Sequence, residues 1–292
     1  MEPPKALEVG SMAPRRDSSA LRWLLGIMLR DSRNKVHKTI AQAAAAIDGS
    51  PSKVSNMESG RYYQSPDDVR RLLDLYGVPG KDADHVLALI AREGERAWWQ
   101  PWHDVVPPWL QTFIGLEGFA TSLFTYEPLV MPALLQTAQY AAATTDSPRV
   151  RRDAAERVVS LRIERQRRLF SDEDSLKLHA IIEESVLHRP VGDQLTMQDQ
   201  LRHLVEMAER PNVTLQVIPT NVGVHAAFTG KFDLLGFDEF RDVVYVELME
   251  TAVYLPEPDK VRAYTLSAES LRNAALSQRD SLALITSLIG EH

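Results

Sequence analysis

Apolar positions follow a helical period from Leu21 to about residue 94. The stretch "LRWLLGIMLRDSR" sets Leu24, Ile27 and Met28 at i, i+3 and i+4, with a basic outer face. A second helix opens at Thr39 with Gln42 three residues on, a capping box, and runs through "IAQAAAAI" to Ile47. Its alanines leave room for another backbone to come close. A third is bounded by Ser50 as N-cap, Pro51 at the first helical position and Gly60 as a left-handed stop. Its large apolar side chains are Val54 and Met57, three apart and so on one face. A helix of barely two turns does not persist alone; it must be held by neighbours and present its polar side outward. A fourth helix starts at Ser65-Pro66, turns Val69, Leu72, Leu73 and Tyr76 inward and ends at Gly77, and a fifth covers 82–93 with Val86, Leu89 and Ile90.

The pattern breaks at "WWQPWHDVVPPW", residues 98–109, where Pro101, Pro107 and Pro108 forbid one continuous helix. Trp98, Trp99, Trp102 and Trp109 are read as a hinge whose indoles pack between two modules, with an aromatic ligand cage as the alternative. From Leu116 to Phe170 the period is again helical, interrupted near Pro128 and Pro132, with Leu134, Leu135 and Ala138 on one face. "RVRRDAAERVVSLRIERQRRLF" carries eight arginines between 149 and 168 against three acids. That run reads as a solvated face with i,i+4 pairs such as Glu164 with Arg168, or else as a docking or phosphate-contacting surface. The period then changes to two: "KLHAIIEE", "NVTLQVIP", "KFDLLGF", "DVVYVELME" and "AVYL" predict a small sheet. Helices over 197–208, 258–276 and 278–289 accompany it. The fold class is α+β, divided into a disordered arm over 1–20, a five-helix domain over 21–94, a Trp/Pro-rich hinge over 95–112 and an α+β regulatory domain over 113–292.

Composition changes this picture in two places. The chain of 292 residues has no cysteine, which excludes disulfides and thiolate metal sites, and no apolar run approaches the ~20 residues of a membrane span. The expectation is a cytoplasmic protein without cofactor or metal. The net charge of −7 is uneven: residues 1–64 carry +4 and the remainder −11. A locally basic first module and an acidic second one suit different partners.

Two helices joined by a short Gly-containing turn, the second polar outward, make a helix-turn-helix. In that arrangement the second helix enters the major groove while the first crosses the backbone. Residues 21–77 resemble the lambda repressor and Cro type, or XRE family. "SPSKVSNMESGR" stands where that family has its recognition helix, Ala44 where it keeps a small residue, and Val54 and Met57 on its two buried positions. The sequence departs from the pattern at Ile40, where the family has a phosphate-binding Gln, at Ala43, and at Asp48-Gly49, where the turn Gly is displaced by one. The resemblance implies that Ser52, Lys53 and Asn56 reach base edges and that Lys38, Thr39, Ser50, Arg61 and Tyr62 fix the phosphate backbone. It further implies a homodimer on a palindromic operator with half-sites ~34 Å apart.

Residues 97–289 resemble the uncharacterised C-terminal domain of an actinobacterial regulator family, Scr-type antitoxin-like and WhiJ-like. The phrases that carry this are "WWQPW", "LEGFATSLFTYEPLVMPALLQT", "IIEESVLHRPVG" and "VVYVELMETAVYL". Members are joined to such a helix-turn-helix and many sit beside small partner proteins, so the resemblance implies regulation through a small protein encoded nearby. Enzymatic motifs are weak: Glu183, Glu184 and His188 make no second constellation, and the glycines of "GVHAAFTGKF" are too far apart for a phosphate loop. The expectation is a transcriptional repressor, not an enzyme. The alternative is an antitoxin-like protein whose main task is to sequester its partner.

Overall fold

A computed structural model describes residues 17–91, 97–145, 152–171 and 174–289. The fold is α+β. Five helices come first: α1 (Ser18–Lys35), α2 (Ile40–Ala46), α3 (Pro51–Glu58), α4 (Pro66–Leu75) and α5 (Gly80–Ala91). Local chemistry starts each of α2 to α4 as the sequence predicts. Thr39 and Gln42 close a capping box, Ser50 accepts from the Lys53 N–H, and Ser65 accepts from the Asp68 N–H. Their core joins Leu21, Leu25 and Leu29 of α1 to Val54, Met57, Val69, Leu72 and Ile90.

The remainder is built on a six-stranded mixed sheet in the order β3-β2-β1-β4-β5-β6. The strands are β1 (Ser122–Glu127), β2 (Lys177–Glu183), β3 (Val213–Ile218), β4 (Phe232–Gly236), β5 (Val243–Glu247) and β6 (Ala252–Leu255). β1, β2 and β3 run parallel, and β4, β5 and β6 add in antiparallel fashion. Helices α6 (Pro108–Phe119), α7 (Ala138–Thr145), α8 (Arg152–Gln166), α9 (Glu184–His188) and α10 (Gln194–Ala208) surround the parallel half, and α11 (Pro258–Ala274) and α12 (Gln278–Leu288) close the chain. The larger core covers one face of the sheet; Phe124, Tyr126, Ile181 and Phe232 turn to the other face and meet Ala268 and Leu271 of α11.

Three expectations are corrected. β1 falls in a stretch read as helical. It lies at the centre of the sheet and is buried on both faces, its polar Thr125 and Glu127 included. The arginines of α8 are not all on a solvated face. Arg165 is buried and grips Glu117 of α6 with both arms at 2.9 and 2.7 Å, and Arg168, also buried, donates to the carbonyls of Gly118 and Ala120. Glu164 pairs with Arg167 and not Arg168. Arg149 and Arg151 lie outside the described residues.

The third correction concerns the arm. Residues 1–16 lie outside the described residues, but 17–20 are ordered: Asp17 is buried as the N-cap of α1, and Ala20 is in the core. The indoles of the segment between the modules pack, as the first of the two readings of it has them. The Trp99 indole N–H donates to Asp17, Trp98 and Trp102 meet edge to face at 6.4 Å, and the Trp109 carbonyl accepts from the Tyr254 hydroxyl at 2.8 Å. As expected, no continuous helix runs through 98–109, and Pro107 and Pro108 open α6, where a first-turn N–H would have no intrahelical acceptor to lose.

The two modules share α1. Leu21, Leu25 and Leu29 face the helical core, whereas Ala20 and Leu24 belong to the core of the sheet domain. Close approach of α6 is built in, because a Cβ on Gly115 would lie 2.7 Å from the Ala20 Cβ and 2.5 Å from Asp17 Oδ2. Around this seam Asp31 pairs with Arg241 at 3.0 Å, His85 with Glu239 at 3.2 Å, and the Trp23 and Tyr254 rings meet at 5.7 Å.

Candidate DNA interface

The third helix is held from behind by apolar contact and from its end by charge. Val54 and Met57 are fully buried. The Gln64 amide, also buried, donates to Met57 O at 2.6 Å and to Arg22 O at 3.0 Å, tying the end of α3 to α1. Glu58 receives Arg33 of α1 bidentately, Nε to Oε1 at 2.6 Å and Nη2 to Oε2 at 2.9 Å. The remaining arm of Arg33 donates to Lys38 O at 2.9 Å, so one guanidinium fixes both α3 and the turn before α2. Hydrogen bonding to Glu58 raises the Arg33 pKa further, so its charge is permanent.

Backbone geometry brings the helices close enough for this. Gly60 has φ +69°, and a Cβ there would fall 2.6 Å from the Trp23 Cα, so only glycine fits the stop. A Cβ on Gly26 would lie 2.7 Å from Met57 O, which places α1 almost in backbone contact with α3. In the turn before α3, Asp48 takes φ +50° and Gly49 does not appear among the positive-φ residues, so the displaced glycine leaves the left-handed position to an aspartate. Asx residues tolerate that conformation better than most.

The side chains expected to meet DNA all remain at least partly exposed. Ser50, Ser52, Thr39 and Arg61 are exposed, Lys38, Lys53 and Asn56 are half-buried, and Tyr62 and its neighbour Tyr63 are 57% and 60% exposed. Asn56 Nδ2 lies 3.5 Å from Ser52 Oγ, one turn back along the helix. Lys53 is engaged: its Nζ sits 2.7 Å from Asp68 Oδ2 of α4. Burial alone would raise the Asp68 carboxyl, but the hydrogen bonds from Lys53 and Ser65 hold it below its ordinary value. Arg33, Glu58 and Gln64 were missed by sequence reasoning, which took Asp68 only as the residue that completes a capping box with Ser65 and missed its pairing with Lys53. Each acts on a residue well removed along the chain, and only the local caps leave a sequence signal.

The fold and this surface define a DNA-binding regulator of the helix-turn-helix class. Residues 24–86 match the family described as a helix-turn-helix domain. Residues 110–287 match the domain of unknown function DUF5753, and the chain belongs to that family. No curated protein and no solved structure shows significant similarity to it. Among the described residues no helix is long and apolar enough to cross a membrane.

Proposed function

We propose that the protein is a sequence-specific transcriptional repressor of the Scr-type, WhiJ-like kind. It acts in the cytoplasm as a homodimer on a palindromic operator, and its C-terminal domain binds a small partner protein or ligand to set DNA occupancy. The chain has no catalytic role in this reading. The observation that supports it best is the double duty of α1, which packs on α3 through Leu25 and Gly26 and joins the sheet-domain core through Ala20 and Leu24. A partner that binds one arrangement of the sheet domain more tightly thereby acts on the position of α3, and occupancy shifts by that difference in affinity.

Selection of duplex DNA by the full chain, followed by genome-wide occupancy with and without the neighbouring partner gene, tests this. A palindromic site bound with about tenfold or greater loss in Lys53→Ala and in Asn56→Ala is the expected result. Equal affinity of both variants for all sequences would sink the groove assignment.

A second reading, an antitoxin-like protein that mainly sequesters its partner, is favoured by Val224 and Phe228, which stand 86% and 74% exposed in the segment after β3. It requires tight binding of the neighbouring gene product by the full chain, with no site occupied on the genome.

A further inference from the structure

Beneath α6 and α8 the inward face of the sheet changes from apolar to charged within one strand repeat. Leu123, Leu235 and Val243 belong to the core. Two residues along each strand, Thr125 and then Glu127, Asp233, Tyr245 and then Glu247 line a cavity of about 60 Å³, with Phe113 and Leu134 on its apolar side. That volume holds more than one water or a small polar group. Lys231 reaches in and bonds Glu127 Oε1 at 2.9 Å and Glu247 Oε2 at 2.7 Å. These two side chains, 29% and 32% exposed, mark the way in.

The charges do not balance. Arg165 is matched by Glu117 across its bidentate pair, and Arg162 is turned to the neutral Gln136 and Thr144. Lys231 bonds two of the three acids that remain, Glu127, Asp233 and Glu247, while Arg165 and Arg162 of α8 act on them without a direct bond, so four carboxylates, Glu117 included, meet three cations. Burial raises Glu127 to about 7 and Asp233 to about 6, against the opposing pull of Lys231. The Tyr245 hydroxyl is buried, its residue 1% exposed, and it has no hydrogen-bond partner, although buried phenols ordinarily find one. A surplus of carboxylates and an idle hydroxyl on one small cavity both ask for a cation with N–H donors. Among the described residues no group of acids and histidines is placed to hold a metal ion.

We propose that this cavity binds the head of a small organic amine: an alkylammonium group with its N–H donors on Asp233, Glu127 and the Tyr245 oxygen, and its apolar stem along Phe113 and Leu134. The inference names the ligand class for the regulatory role proposed above and rests on that role only for its purpose. Its test uses no DNA, so either reading can fail while the other stands.

Isothermal titration of the full chain with n-butylammonium chloride tests it, with tetramethylammonium chloride and sodium butyrate as controls. The expected result is saturable one-site binding of n-butylammonium alone, weakened at least about tenfold in Tyr245→Phe and in Asp233→Asn. At pH 7 binding also releases protons to the buffer, because an added cation favours the ionised forms of Glu127 and Asp233. The charged and titratable groups that face them are Lys231, Glu247 and Tyr245 from the sheet side and Arg162 and Arg165 from α8. Equal heats from all three salts, absence of saturation, binding without proton release, or undiminished binding in folded Tyr245→Phe would each overturn the proposal. The Tyr245→Phe variant removes one oxygen and decides the matter if Asp233→Asn does not fold.

Discussion

Arg33 and Glu58 face each other across the α1–α3 contact through two parallel N–H···O bonds of 2.6 and 2.9 Å, in side chains only 11% and 5% exposed. Removal of either partner leaves a largely buried charge without its counterpart, which costs more than the pair contributes when intact. Arg33→Ala and Glu58→Ala should each lower stability by about 3–5 kcal/mol, read from urea unfolding. The double variant should lose clearly less than the sum, because both singles remove one interaction. Additive losses would mean that the two groups are not coupled.

Lys53 and Asp68 pose the opposite case, a pair 2.7 Å apart that competes with DNA binding. An acid that holds a lysine competes for its charge and draws its ammonium back toward α4, even though two N–H donors remain. Asp68→Asn removes that competitor and a negative charge beside the proposed groove, so affinity for the selected operator should rise several-fold, measured by fluorescence anisotropy at low salt. The gain should vanish in the Lys53→Ala background. If Asp68→Asn binds no better than the wild type, Lys53 stays on α4 in the complex.

The helix-turn-helix was legible because its signals are local. Ser50, Thr39 and Ser65 each cap a helix whose partner N–H is three residues on. What holds α3 in place was not legible, since Arg33 and Glu58 are 25 residues apart and Gln64 reaches back 42 residues to Arg22 O. The arginines of α8 show the same limit from the other side. Composition makes such a run look solvated, and only the α6 backbone and Glu117, 48 residues from Arg165, give the buried ones their partners. Strand β1 was hidden for a further reason. Phe124 and Tyr126 turn to α11, and the alternate positions hold Thr125 and Glu127, which are buried against Asp233 and Lys231. The alternation from Phe124 to Glu127 is only four residues long and ends at Pro128, too short to stand out from the helical pattern on either side.

Gly115 sits where α6 crosses α1, and a Cβ there would press on Asp17 and Ala20 at 2.5 and 2.7 Å. Neither contact can yield cheaply, because Asp17 caps α1 and also accepts the Trp99 N–H. Gly115→Ala should therefore destabilise the chain by about 1–3 kcal/mol through overpacking. It should also separate the unfolding of the five-helix domain from that of the sheet domain. Tryptophan fluorescence, dominated by residues 98–109, and far-ultraviolet dichroism would then follow different urea midpoints, whereas in the wild type they should coincide. Coincident midpoints in the variant would show that the shared helix α1 is not what couples the domains.

The charged cavity makes stability depend on pH in a direction opposite to that of an ordinary surface carboxylate. Asp233 has its pKa raised from 3.8 to about 6 and Glu127 from 4.5 to about 7, in both cases chiefly by burial. Between the unfolded and folded values the native chain holds protons that the unfolded chain has released, so stability from these groups is fully present at the acid end and falls as pH rises. Asn at 233 cannot titrate, and it also removes one of the charges that raises Glu127. The stability of Asp233→Asn relative to wild type should therefore improve with pH, by up to about 1.4 kcal/mol per unit between pH 4 and 6, and level off above pH 7. Urea midpoints across that range check the slope. A stability of Asp233→Asn relative to wild type that stays flat or falls as pH rises would mean that Lys231 keeps Asp233 ionised throughout, and that the cavity already holds its charges in balance.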